Sequence, residues 1–361
     1  MQTFELRRMR ILGAVVLALT VIVSASTLAN AASYKAAFLT SDQTGTAPNI
    51  DTHLINPWGI SFSSTGDFWV SDNNSGVSTL YNSTGVPNAL VVTIPSAAGG
   101  TTLGTPTGTV FNGTTGFTVT SGTKSGPASF LFDSEDGVIT GWNPSVNPTV
   151  AIIAVNNSSS SAVYKAMELA NNGTANFLYV CNFFSAKVEV YDQNFKLTTL
   201  SGSFTDPTLP HGFAPHNIRN INGQLFVAYA KQNATKTDAV TGPGLGVVDV
   251  FDLNGNFVKR FAVKGKLNAP WGLALATANF GTFSNDILVG NLGDGTVNAF
   301  NPTTGAFVGT LSNAANKPLK FPGLWGLMFG NGGMGGLKDT LYFTSGPSAY
   351  AHGRFGSITA Q

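Results

Sequence analysis

A single cysteine, Cys181, in 361 residues has no partner for an internal disulfide, so stability must come from a large apolar core. It stands in the apolar run Phe177-Leu178-Tyr179-Val180-Cys181-Asn182, where a buried structural thiol fits better than a nucleophile. Charge is equally scarce. Lys and Arg number 19 against 18 Asp and Glu, a net charge of +1, so there is no basic stripe for a polyanion and nucleic acid is excluded as a partner. Helix-favouring Lys and Glu are few, whereas 42 Gly, 26 Phe and many Thr, Ser and Asn favour strands and tight turns. No Gly-x-Ser-x-Gly elbow is present. No His-x-Glu-x-x-His spacing supports a zinc site either, although His53, His211 and His216 could meet in space. Long apolar runs are missing after the first 25 residues, so no membrane span is expected in the mature chain.

The N-terminus reads differently. Arg7, Arg8 and Arg10 precede an apolar stretch over residues 11–25, and Ala29-Asn30-Ala31 supplies a small-x-small cleavage site, the pattern of a secretory signal peptide. The stretch is short of the roughly 20 residues that cross a bilayer. Residues 1–31 are therefore expected to be a signal peptide and 32–361 a single secreted domain, periplasmic or extracellular.

That domain is repetitive. Pro57-Trp58-Gly59-Ile60, Pro106-Thr107-Gly108-Thr109, Pro215-His216-Asn217-Ile218, Pro270-Trp271-Gly272-Leu273 and Leu324-Trp325-Gly326-Leu327 occupy one register, and Val163-Tyr164-Lys165-Ala166 fills the remaining gap. Copies about 50 to 55 residues apart match one four-stranded propeller blade. A second strand follows each copy: Phe68-Trp69-Val70, Phe117-Thr118-Val119, Leu178-Tyr179-Val180, Leu225-Phe226-Val227, Ile287-Leu288-Val289 and Leu341-Tyr342-Phe343. The third strands begin with Thr79-Leu80-Tyr81 and Phe130-Leu131-Phe132 and end with Phe355-Gly356-Ser357-Ile358. The last repeat lacks a fourth strand, and Ala36-Ala37-Phe38-Leu39-Thr40 has no repeat of its own. Pairing the two closes the ring and removes exposed sheet edges. The expected fold is all-β: a six-bladed, NHL-like β-propeller whose last blade is closed by the N-terminal strand.

Asn56-Pro57-Trp58-Gly59, Ser134-Glu135-Asp136-Gly137 with Gly141-Trp142-Asn143-Pro144, Asn268-Ala269-Pro270-Trp271-Gly272-Leu273 and Gly290-Asn291-Leu292-Gly293-Asp294-Gly295 resemble one family. It is a bacterial family of exported, functionally uncharacterised proteins related to NHL-repeat propellers, and the resemblance spans nearly the whole mature chain. Some members carry a C-terminal sorting tail, which this chain lacks. The resemblance implies the propeller fold and brings no substrate with it.

In such a ring the innermost strands line a channel, and the loops before them share one face with the loops after the second strands. Asp51, His53, Asn56, His211, His216 and Asn268 precede or open inner strands; Asp72, Asn73, Asn182 and Asn291 follow second strands. Oxygens of Asp72, Asn73, Asn182 and Asn291 could hold a hard cation such as calcium, with His216 or His53 moving protons. The plain alternative is that Asn and Asp at strand ends satisfy local turns. Trp58, Trp271 and Trp325 take equivalent places in three blades and, with Asn56, Asn217 and Asn268, could bind a flat ligand or sugar; packing between blades would use the same rings. Ser134-Glu135-Asp136-Gly137 reads as a solvated hairpin. Two functions follow: a binding scaffold for a small molecule, glycan or protein at the channel mouth, or a metal-dependent hydrolase or lyase of the lactonase type.

Overall fold

The computed structural model describes residues 33–361. The expected signal peptide, residues 1–31, lies outside the described residues.

Six antiparallel sheets follow one another along the chain. Their inner strands are Pro57–Ser61, Pro106–Phe111, Tyr164–Asn171, Phe213–Ile221, Pro270–Leu275 and Leu324–Phe329. Each touches the next, and the sixth returns to the first, so the ring is closed. Every strand expected to open a blade does so. The glycine in the repeated motif has a steric reason: a Cβ on Gly59, Gly108, Gly272 or Gly326 would lie 2.6 to 2.8 Å from backbone atoms of the neighbouring inner strand. Four of the six inner strands thus press on a neighbour where only hydrogen fits.

The sixth blade closes as expected. Tyr34–Ser41 pairs antiparallel with Arg354–Ala360, from Tyr34 opposite Ala360 to Ser41 opposite Arg354. Tyr34 is buried and stacks on Phe283 with centroids 5.6 Å apart. Its hydroxyl donates to the Phe280 carbonyl at 3.0 Å and accepts from the Phe283 amide at 3.1 Å. The closing strand therefore also ties the sixth blade to the fifth.

The second blade departs from the expected register. Its second strand is Phe130–Ser134 and its third Val138–Trp142. Phe117-Thr118-Val119, expected as the second strand, instead enters the strand Thr118–Ser121, which pairs with Lys124–Pro127 in a separate hairpin. The insertion moves Ser134-Glu135-Asp136-Gly137 to the loop after the second strand, at the channel mouth. Cys181 is buried in the second strand of the third blade, and burial pushes its thiol pKa well up, so it is inert core.

Candidate functional site

The residue after the motif's proline position is, blade by blade, Trp58, Thr107, Lys165, His216, Trp271 and Trp325. All six are buried, and Trp58, Lys165, His216, Trp271 and Trp325 meet at the neck of the channel. Trp58 and Trp325 stack with centroids 3.5 Å apart, and Trp271 meets both edge-on at 6.1 and 6.0 Å. The indoles fill the neck with one another instead of offering free faces. Trp325 donates Nε1–H to Asn56 Oδ1 at 2.9 Å, and Trp271 reaches across the channel to the Lys165 carbonyl at 3.2 Å. Trp58 Nε1 is buried without an acceptor. Below them the channel narrows to a void of about 20 Å³, with Asn217 and Trp271 in its wall, room for about one water.

Lys165 occupies a tryptophan position and is the residue that sequence reasoning missed. Its side chain is 1% exposed. The ammonium pairs with Glu135, lies 3.6 Å from Asp238, and sits 5.2 Å from the Trp58 ring centre and 5.7 Å from that of Phe183. Glu135 also accepts from Asn73 Nδ2 at 3.0 Å. A buried ammonium is tolerable only with such pairing and ring contacts. The third copy sits one residue later than the quoted tetrapeptide: Tyr164 faces Asn182 as Pro57 faces Asp72, which puts Lys165 at the tryptophan position and hid it from the motif alignment, while the mistaken register of the second blade hid Glu135.

Above the neck lies a cavity of about 330 Å³. Trp58, Asn73, Lys165, His216, Leu292 and Trp325 line it from five blades, with Asn56 and Asn74 beside them. Two segments overhang it: Asp238 and Ala239, whose strand Ala239–Val240 adds to the fourth blade, and the left-handed turn at Ala349 and Tyr350. The Tyr350 ring tilts over Trp325 at 5.9 Å, and its carbonyl accepts from Asn74 Nδ2 at 2.8 Å.

Of the expected site residues, Asn56, Trp58, Asn73, His216 and Trp325 meet at this cavity. Trp271 and Asn217 face the channel beneath it; Asn217 donates to the Trp271 carbonyl, binding adjacent blades. His53 is exposed beside Asp51, its Nδ1 at 3.0 Å from the carboxylate, and does not line the cavity. Asn268 accepts from the Gly242 amide at 2.7 Å. The four residues expected to share a cation are not gathered. Asn182 donates to Glu189 at 2.7 Å, Asn291 to the Lys266 carbonyl at 2.7 Å, and Asn73 to Glu135. Asp72 accepts from Thr79 at 2.6 Å, and burial raises its pKa well above the carboxylate range. No two of the four share a hydrogen-bond partner: each is engaged separately, Asn73 with the second blade and Asp72 and Asn182 with the third strands of their own blades. Among the described residues no cluster of three or more His, Cys, Asp or Glu could hold a metal ion.

His216 is a neutral acceptor. Burial, foremost, lowers its pKa to about 3, against the hydrogen bond to Pro270. Its Nδ1 lies 3.0 Å from the Pro270 carbonyl; a carbonyl only accepts, so Nδ1 carries the proton and Nε2 the lone pair. An imidazole that protonates near pH 3 is a feeble base at neutral pH. It also couples stability to pH. The unfolded chain binds this proton near pH 6.5 and the folded one only near 3, so the contribution of His216 is present above pH 6.5 and lost as pH falls toward 3. Asp133 and Asp249, raised by burial to about 7, act oppositely and lose theirs as pH rises from 3.8 to 7. The difference between wild type and His216→Asn isolates the histidine. We expect that difference to grow by about 1 kcal/mol per pH unit from pH 4 to 6 in urea titrations; a pH-independent difference would refute a neutral His216.

No family model matches the chain. Uncharacterized protein R648 of Acanthamoeba polyphaga mimivirus is 33% identical over 299 residues, 81% of this chain and 73% of that protein. Uncharacterized protein L690 of the same virus is 35% identical over 303 residues, 82% of this chain and 79% of that protein. The chain belongs to their family. These relatives are viral, whereas the motif resemblance pointed to a bacterial family. Among solved structures, the soluble aldose sugar dehydrogenase of Escherichia coli superposes with a TM-score of 0.55 at 10% identity, over 91% of this chain and all of that one. Virginiamycin B lyase of Staphylococcus aureus gives 0.50 at 10% identity, over 90% and 99%. Likeness at such identity shows the fold, a six-bladed NHL-like propeller.

Proposed function

We propose that the protein is an exported binding propeller whose mouth cavity takes one small ligand. The observation that carries this is the cavity itself: about 330 Å³, within the range of small-molecule sites, bounded by five blades and overhung by two loops. That enclosure suits a compact molecule better than a glycan chain or a protein surface. A hydrolase or lyase of the lactonase type draws less support, because its expected cation donors are each engaged in separate hydrogen bonds and His216 is a weak base. Ala239→Trp should fill the cavity from its rim. Fragments that bind the wild type in saturation-transfer NMR are expected to lose at least tenfold in affinity in this variant, with little change in melting temperature; unchanged binding would move the site elsewhere.

Export is supported by the three arginines and the apolar stretch over residues 11–25. Sequencing the protein from its native cell should find Ala32 first, and an intact Met1 would refute processing.

A further inference from the structure

The hydrogen-bonding capacity left unused in the cavity is mainly that of acceptors. The amides are largely spent: Asn56 Nδ2 donates to Asn73 and Asn74, Asn73 Nδ2 to the Pro106 carbonyl and Glu135, and Asn74 Nδ2 gives one of its two N–H groups to the Tyr350 carbonyl. Lys165 is committed to Glu135 and faces Asp238. Beyond one Asn74 N–H and the buried Trp58 Nε1–H, what remains is acceptor capacity. His216 presents Nε2 with its lone pair, and the Asp238 side chain, 68% exposed, stands at the rim with Thr237 as its one hydroxyl donor. The charges around the cavity are Lys165 against Glu135 and Asp238, a net of −1. The half-exposed Tyr350 ring and Leu292 supply apolar contact.

We propose, resting on the reading of this cavity as a ligand site, that it selects an organic cation: a molecule carrying a primary ammonium on a compact apolar or aromatic body. The ammonium donates to Asp238 and His216 Nε2, the two acceptors left open, and the body lies against Tyr350 and Leu292. The aromatic face adds cation–π attraction, and a charge-assisted hydrogen bond is about twice as strong as a neutral one. An anion meets a net negative rim, where the Lys165 ammonium is already paired with carboxylates and one Asn74 N–H is the donor left at the surface. An uncharged molecule of the same shape keeps the apolar contacts and loses the charge-assisted bond.

Benzylamine, benzyl alcohol and benzoate separate these cases, since they share one ring and differ in charge. With the mature protein at pH 7 in low salt, titration followed by NMR is expected to show benzylamine binding at least tenfold tighter than benzyl alcohol and no saturable binding of benzoate. Asp238→Asn, at an exposed position, should cost benzylamine about tenfold and leave benzyl alcohol within twofold. Benzoate or benzyl alcohol binding as well as benzylamine, or an indifferent Asp238→Asn, overturns the choice of a cation. So does the absence of benzylamine binding that Ala239→Trp abolishes. The cavity reading itself falls only if no fragment of any charge is displaced by Ala239→Trp, so the two failures are distinguishable.

Discussion

Deleting residues 33–42 is expected to abolish the cooperative fold of the whole propeller. The deletion removes seven registered pairs with Arg354–Ala360 and leaves that strand an open edge. It also removes Tyr34, whose ring and hydroxyl hold Phe280 and Phe283. Replacing a buried aromatic residue by alanine alone costs about 3–5 kcal/mol, a large share of the roughly 5–15 kcal/mol that holds a domain together. Losing the ladder as well should exceed what remains. Circular dichroism of the truncated chain should show no cooperative melt, while Tyr34→Ala still melts, at a lower temperature. A truncated protein melting within a few degrees of the intact one would mean that the ring closes by other contacts.

The second large effect lies at the channel neck. Glu135→Ala strands the Lys165 ammonium against the Trp58 and Phe183 rings with only Asp238, 3.6 Å away, for compensation. Breaking a buried pair by removing one partner costs about 3–5 kcal/mol, whereas replacing both by apolar groups is often neutral. Lys165→Met added to Glu135→Ala should therefore recover most of the loss, a coupling of about 2 kcal/mol in a urea-denaturation double-mutant cycle. Additive losses would show that Lys165 does not depend on Glu135.

The fold was legible because its repeat is imposed by packing. Inner strands that meet at Gly59, Gly108, Gly272 and Gly326 require glycine there, and a requirement repeated in four of six blades leaves a mark in a single sequence. The second blade was misread because Phe117-Thr118-Val119 has the same apolar alternation as a blade strand but leads into and forms the first strand of a small hairpin. That one slip carried Glu135 away from the mouth. The site was less legible for a different reason. Blade topology places Asp72, Asn182 and Asn291 at equivalent strand ends, but whether a side chain points to the channel or to its own loop depends on nearby amides and hydroxyls such as Thr79 and Thr296. Tryptophans at the neck were visible; that they cover one another's faces follows only from distances.

The pairing of Tyr34–Ser41 with Arg354–Ala360 also governs when the protein can finish folding. The first strand to leave the ribosome waits for nearly the last, so five blades can collapse while the sixth stays one strand short. Contacts that span almost the whole chain make such folding slow. Until residues 354–360 emerge, the edge that the N-terminal strand will occupy does not exist, and the nascent chain remains open to chaperones, or to a translocation channel, for the full duration of its synthesis.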